Sequence, residues 1–169
     1  EVLCRATRAE IEALSRYKHP NIIRLFGYCL DGERHVLLYE FEAGGSLKGQ
    51  LQDDDRARRL TWASRARIAA GVAKAVNYLH KHDVRGPLYH RDIKPANIVL
   101  TASLSPKLID CGLSRFLPDD RAPGRKTLTG TAGLGVLGTP GYMCGSYVRT
   151  NQFNEKSEVY SVGVTLLEI

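Results

Sequence analysis

The chain has 169 residues, 43% hydrophobic and 25% charged, with a formal net charge of +6. That length supports one core, the composition is that of an ordinary globular protein, and no run approaches the roughly 20 apolar residues of a membrane span. The basic residues are scattered, and the densest group, Arg56-Ala57-Arg58-Arg59, directly follows Asp53-Asp54-Asp55, a mixed-sign pattern that reads as a solvated loop or helix face and not as a surface for nucleic acid.

In chain order, the N-terminus Glu1-Val2-Leu3-Cys4-Arg5 is neither a signal peptide nor a start methionine. Arg8 to Tyr17 is predicted helical, with Ile11 and Leu14 on one face and His19-Pro20-Asn21 as the stop. Ile22 to Leu30 and His35 to Phe41 read as two strands joined at the Asp31-Gly32 turn. Ala43-Gly44-Gly45-Ser46 breaks the chain before a short helix around Leu47 to Leu51. Thr61 to His80 is strongly helical, with Ile68, Val72, Val76 and Leu79 on one face, Thr61 as cap and Trp62 as the anchor of its start.

Ile98-Val99-Leu100 and Lys107-Leu108-Ile109 are short strands around a turn, and Gly112 to Tyr147 is a long irregular stretch of the kind that is functional or disordered. Val159 to Ile169 is apolar on nearly every face, which predicts a helix buried all round and one that continues past the last residue. Cys4, Cys29, Cys111 and Cys144 lie far apart without metal-ligand spacing, so reduced thiols in a cytosolic setting are expected rather than a zinc site.

The chemistry concentrates at His90-Arg91-Asp92-Ile93-Lys94-Pro95-Ala96-Asn97, followed by Asp110-Cys111-Gly112. Phosphoryl transfer requires a carboxylate beside the attacking hydroxyl, metal ions held against the phosphates, and positive charge near the transferred group. Asp92 suits the first role, Lys94 the last, and Asn97 with Asp110 offers a neutral and a charged oxygen to a hard cation.

These motifs resemble those of the eukaryotic protein kinase fold, over the whole chain. The resemblance implies an α+β two-lobe architecture, with residues 1–41 from the small lobe and 42–169 from an incomplete large lobe. Glu10 matches the helix-C glutamate that pairs with a strand lysine, although the residue alone would read as a solvated helix glutamate. His19-Pro20-Asn21-Ile22-Ile23-Arg24-Leu25 matches the entry to the next strand. Leu37-Leu38-Tyr39-Glu40-Phe41-Glu42 matches the hinge strand: Tyr39 is the gatekeeper, backbone groups of Glu40 and Glu42 would bond adenine, and their side chains are expected to be solvated. Val99 would floor the purine, and Gly138-Thr139-Pro140-Gly141-Tyr142 resembles the loop that shapes the substrate site. Lys94 with Thr139 favours serine/threonine over tyrosine substrates. Leu60-Thr61-Trp62, Arg65, Gly71, Tyr78-Leu79-His80 and Gly27-Tyr28-Cys29 are similar to the receptor-like and Pelle/IRAK group. Arg91 would bind a phosphorylated activation segment, so phosphorylation is expected at Thr127, Thr129 or Thr131.

Three positions depart from the family pattern. Cys111 stands in place of a Phe that packs under helix C, here with Leu14, Leu25 and His90, at an expected packing cost of about 2–4 kcal/mol. A buried inert thiol is expected there rather than a reactive one. Ser146 in Cys144-Gly145-Ser146 replaces an ion-pairing glutamate, and Glu158 replaces the aspartate that holds the catalytic loop.

Together the sequence implies an ATP- and Mg²⁺- (or Mn²⁺-) dependent protein serine/threonine kinase acting on protein substrates, on the cytoplasmic side. An upstream receptor or scaffold is an implied partner, and any membrane association would come through segments outside this chain. The alternative is a pseudokinase that signals by binding. The family's Gly-rich loop and strand lysine would precede Glu1 and its last helices would follow Ile169, so the chain alone is expected to be inactive, poorly stable and apolar on the outside of the 159–169 helix.

Overall fold

The computed structural model describes residues 2–32, 34–84, 86–116, 128–129 and 135–169. The first helix, α1 (Val2–Arg16), begins earlier than the sequence reading placed it, and turns Glu10, Ala13 and Leu14 inward. The strands β1 (Leu25–Asp31) and β2 (Arg34–Tyr39) pair antiparallel with a bulge between Leu25 and Gly27. Two short helices follow, α2 (Leu47–Gln52), capped by Ser46, and α3 (Asp54–Arg59), capped by Asp53. The mixed-charge run is therefore a helix, with Asp54 and Asp55 at its N-terminal end and arginines at its C-terminal end, as the helix dipole prefers.

The long helix α4 (Trp62–Lys81) starts where Thr61 Oγ1 accepts the Ser64 N–H at 3.2 Å. Its Ile68, Val72, Ala75, Val76 and Leu79 are buried at helical spacing and form the middle of the main core. Trp62 does not anchor this helix: it is 84% exposed, because the buried stripe starts at Ser64 and Ile68 on another face. Gly71 is the contact point with the strands, since a Cβ there would come within 2.4 Å of the Pro106 ring.

Beyond α4 come β3 (Leu88–Tyr89), β4 (Ile98–Leu100), β5 (Pro106–Leu108), β6 (Arg115–Phe116), β7 (Leu128–Thr129), α5 (Gly145–Thr150), β8 (Gln152–Phe153) and α6 (Glu155–Glu168). Among the described residues the strands form antiparallel pairs β1–β2, β3–β6, β4–β5 and β7–β8. The stretch predicted as irregular thus carries short elements, made by pairing with distant partners. The His19-Pro20-Asn21 stop is sewn onto β5: Asn21 Nδ2 donates to Pro106 O at 2.8 Å, and Ile23 N and Leu108 N exchange bonds with Leu108 O and Asn21 O at 2.9 Å each.

The last helix corrects the sequence reading. It starts at Glu155 behind an Asn154/Ser157 capping box, and it is not buried all round. Its buried face is polar (Ser157, Glu158, Ser161, Thr165), while Val159, Tyr160, Leu166 and Leu167 are exposed, as the expectation of outward apolar surface required. The physical reason is that this helix presents the Glu158 carboxylate to the loop at Arg91 and a hydroxyl to the 138–142 loop, where Ser161 Oγ donates to Tyr142 O at 2.7 Å.

Candidate functional site

Asp92 lies between β3 and β4, on a loop whose turn at Pro95–Asn97 is tied off by Asn97 N donating to Lys94 O at 3.0 Å. Its carboxylate is almost fully satisfied. Lys94 Nζ approaches Oδ2 at 2.6 Å, Asn97 Nδ2 donates to Oδ2 at 2.9 Å, and Thr139 Oγ1 donates to Oδ1 at 2.5 Å. Lys94 also reaches Thr139 Oγ1 at 2.6 Å, so the loop at 138–142 closes directly over the catalytic loop. Burial by itself would raise the Asp92 carboxyl, but the hydrogen bonds from Lys94, Thr139 and Asn97 outweigh it and hold the group below its usual value.

The loop is supported from beneath. Glu158, with no exposed surface, accepts the Arg91 backbone N–H at 2.7 Å on one oxygen and meets His80 Nε2 at 2.5 Å on the other. The added methylene that separates it from the family's aspartate therefore does not break the contact with the catalytic loop. Arg91 sits at φ 72°, a left-handed conformation costing about 1–3 kcal/mol in a non-glycine residue, and these bonds hold it there. The Arg91 guanidinium is turned inward. Nη2 donates to Tyr147 OH at 2.9 Å, and Cζ lies 5.7 Å from the centre of the Phe153 ring. Tyr147 OH in turn accepts from Leu137 N and donates to Leu137 O, which ties the arginine to the 137–139 segment. His90 accepts the Asp92 N–H at Nδ1, an arrangement that puts the ring proton on Nε2, 3.0 Å from Ile109 O.

A cavity of about 440 Å³ opens beside this loop, within the usual range for small-molecule sites. It brings together Tyr39, Glu40, Glu42, Val99 and Asp110, the nucleotide-site residues expected from the sequence, with Glu10, expected as the ion-pairing helix glutamate. Ile23, Phe41 and Ile109 also line it and were missed, since single apolar residues in strands carry no signal that separates a pocket wall from core. Glu40 donates its backbone N–H to Arg24 O at 3.0 Å. The side chains of Glu40 and Glu42 are not simply solvated, as the sequence reading had it: both carboxylates meet Lys107 Nζ at 2.6 Å. Two glutamates two residues apart in an extended segment share a side, which was the available signal, but their cation lies 65 or more positions away.

Glu10 is buried rather than solvated. Tyr39 OH donates to its Oε1 at 3.0 Å, and burial raises its carboxyl to about 7. Asp110, at φ 63°, is exposed and receives one long bond, from Gly112 N at 3.4 Å. Asp110 with Asn97 gives a carboxylate and an amide oxygen, a donor pair that fits a hard divalent cation whose remaining ligands are phosphate and water. Asn97 O accepts Ile109 N at 2.9 Å, which keeps the two strands of this pair in register. Cys111 is 1% exposed in the main core with Leu14, and Leu25 packs against the same cluster. Burial, then the neighbouring carboxylates, push its thiol well above the ordinary value, so it is an inert core group. Thr127 and Thr131 lie outside the described residues, whereas the backbone of Thr129 pairs with Gln152 in the β7–β8 ladder.

Comparison with known proteins agrees with this geometry. The protein kinase domain family matches residues 2–169. A probable LRR receptor-like serine/threonine-protein kinase of Arabidopsis thaliana is 43% identical over 162 residues, 96% of this chain and 18% of the relative. The Arabidopsis thaliana cysteine-rich receptor-like protein kinase 38 is 42% identical over 164 residues, 96% of this chain and 24% of the relative. The chain thus spans between a sixth and a quarter of the length of these relatives. On that match over residues 2–169, and on relatives more than 40% identical over nearly its whole length, the chain belongs to the protein kinase domain family.

Proposed function

We propose that this chain is the catalytic segment of a protein serine/threonine kinase that transfers the γ-phosphate of ATP to protein hydroxyls, with residues 1–41 contributing to a small lobe and 42–169 to a large one. The observation that carries the reading is the Asp92 carboxylate, held at 2.5–2.9 Å by Thr139, Lys94 and Asn97 beside the cavity. A low carboxyl pKa keeps Asp92 ionised, able to orient a substrate hydroxyl and take its proton as the oxygen attacks phosphorus and ADP leaves. Lys94 supplies positive charge within reach of the transferred group. Its bridge to Thr139 joins the substrate loop to the catalytic base, an arrangement suited to the short hydroxyl of Ser or Thr.

A bound Mg²⁺ or Mn²⁺ would neutralise phosphate charge, and Asn97 and Asp110 would hold it. Adenine would lie against Val99 and Ile109 with the Glu40 carbonyl at its edge and Tyr39 behind. Arg91, with Thr127, Thr129 or Thr131 as the acceptor, is proposed to respond to activation-segment phosphorylation, a move that would first release it from Tyr147. The receptor-like names of the relatives suggest an upstream receptor and a site of action at the cytosolic face of a membrane. Among the described residues no helix is long and apolar enough to cross one.

The test uses the full-length gene product. Transfer of labelled γ-phosphate in the presence of Mg²⁺ is expected for the wild type and is expected to be lost in Asp92→Asn and in Asp110→Asn. Transfer no greater in the wild type than in either variant, with all three folded, would sink the kinase reading and leave a binding scaffold.

A further inference from the structure

The hinge is fastened from behind by a residue that lies outside the expected nucleotide site. Lys107 stands on β5 opposite Val99 of β4, and register partners on paired strands project to the same face. Val99 reaches the cavity, while Lys107 Nζ meets Glu40 Oε2 at 2.6 Å and Glu42 Oε1 at 2.6 Å. The three side chains are only 17%, 21% and 12% exposed, which separates this group from a surface ion pair of little consequence. The other oxygen of Glu40 accepts the Arg24 N–H at 2.7 Å, so the same carboxylate also holds the start of β1.

The charge arithmetic makes the lysine necessary. Two carboxylates flanking Phe41 converge on one ammonium, and without it two like charges would face each other with little water between them. Burial would lower the Lys107 pKa, but the two glutamates outweigh it and raise it, so the cation is retained. Glu40 also lines a second cavity, of about 480 Å³, together with Lys107, Ile22 and Ile23. Glu40 and Ile23 thus line both the front cavity and this rear one, and Lys107 reaches Glu40 from the rear. Backbone bonds continue the fastening: Gly44 N donates to Leu100 O at 2.9 Å, and a Cβ on Gly44 would come within 2.4 Å of that oxygen.

We propose that Lys107 is a positioning residue for the nucleotide: by locking Glu40 and Glu42 onto the β4–β5 hairpin, it fixes the hinge backbone at the mouth of the front cavity. Lys107 does not touch the nucleotide in this arrangement, and acts through the hinge. The inference rests on the kinase reading for the identity of the ligand, but the fastening itself is independent of it.

The experiment uses the full-length protein and two readouts, amide hydrogen exchange across residues 38–46 and steady-state kinetics in ATP. In Lys107→Met, hinge exchange is expected to quicken and the KM for ATP to rise, each by about tenfold once solvent screening of the unmasked glutamates is allowed for, with a smaller change in kcat. Lys107→Arg is expected to restore most of both. The triple variant Glu40→Gln, Glu42→Gln, Lys107→Met removes the repulsion but also the fastening, so its hinge is expected to exchange more slowly than that of Lys107→Met and still faster than that of the wild type. Hinge exchange in Lys107→Met equal to that of the wild type overturns the proposal, as does a triple variant protected as well as the wild type. A wild type that transfers no phosphate overturns the kinase reading, and hinge exchange then decides the fastening alone. Should Lys107→Met not fold, Glu42→Gln is read the same way, with a smaller quickening expected and an unchanged hinge counting against the proposal.

Discussion

Asp92 and Asp110 stand at two ends of one site and are treated in opposite ways. Asp92 is buried and gripped by three side chains, on a loop braced by Glu158 and locked over by Thr139. Asp110 is exposed, with one 3.4 Å contact to Gly112 N. On the proposed kinase reading, the Asp92 end is pre-organised by the protein, so little reorganisation would be needed at the moment of transfer. The Asp110 end is open, and on the same reading its charge would be satisfied by a bound cation. Glu158 and Glu10 are both buried glutamates with hydrogen-bond partners, but Glu10, which accepts from Tyr39 OH, also lies near the Asp110 carboxylate, and burial with that charge raises its carboxyl.

The sharpest way to break the comparison is to remove the brace at the Asp92 end. Glu158→Ala leaves the Arg91 N–H and His80 buried without their partner, and a loss of about 3 kcal/mol is expected in urea unfolding. Glu158→Asp keeps the charge and should cost less. A loss under about 1 kcal/mol for the alanine variant would mean the loop holds itself.

Of similar size, and opposite in character, is the pH response of Glu10. Burial raises its carboxyl from 4.5 to about 7 in the folded chain, so between those values the folded state keeps a proton that the unfolded state releases. Stability is therefore expected to fall as pH rises from 4.5 to about 7 and to level off above, by a total of about 3 kcal/mol. Glu10→Gln should remove that slope in denaturant titrations run from pH 5 to pH 8. A slope that survives the substitution would show that another group is responsible.

The smallest effect on stability belongs to the open end. Asp110→Asn is expected to change unfolding free energy by less than about 0.5 kcal/mol, tilted toward stabilisation because it relieves repulsion with Glu10. A loss of 2 kcal/mol or more in urea would place Asp110 in the pre-organised half and end the contrast.

Much of the site was legible in the order of residues. Transfer chemistry requires particular side chains within one short loop, so His90 to Asn97 announces itself without a fold. Helical spacing and a threonine cap were enough to find α4. Boundaries were softer, as with α1 starting at Val2, and Trp62 was misread because hydrophobicity does not say which face will be covered. Val159 to Ile169 was misread for the same reason: its fully buried positions are polar, and of its apolar residues only Val162 and Ile169 pack, partly buried, against the core.

The sequence by itself determined the residue types proposed as base, cation donors and hinge, along with the family the chain belongs to. Tertiary structure alone decided their pairings. Arg91 meets Glu158 across 67 positions and Tyr147 across 56, Asp92 meets Thr139 across 47, and Lys107 meets both hinge glutamates. Periodicity records which side of an element a residue occupies, because that follows from local backbone geometry. Which distant charge or hydroxyl comes to that side depends on how the elements pack, and that is fixed by the whole core at once.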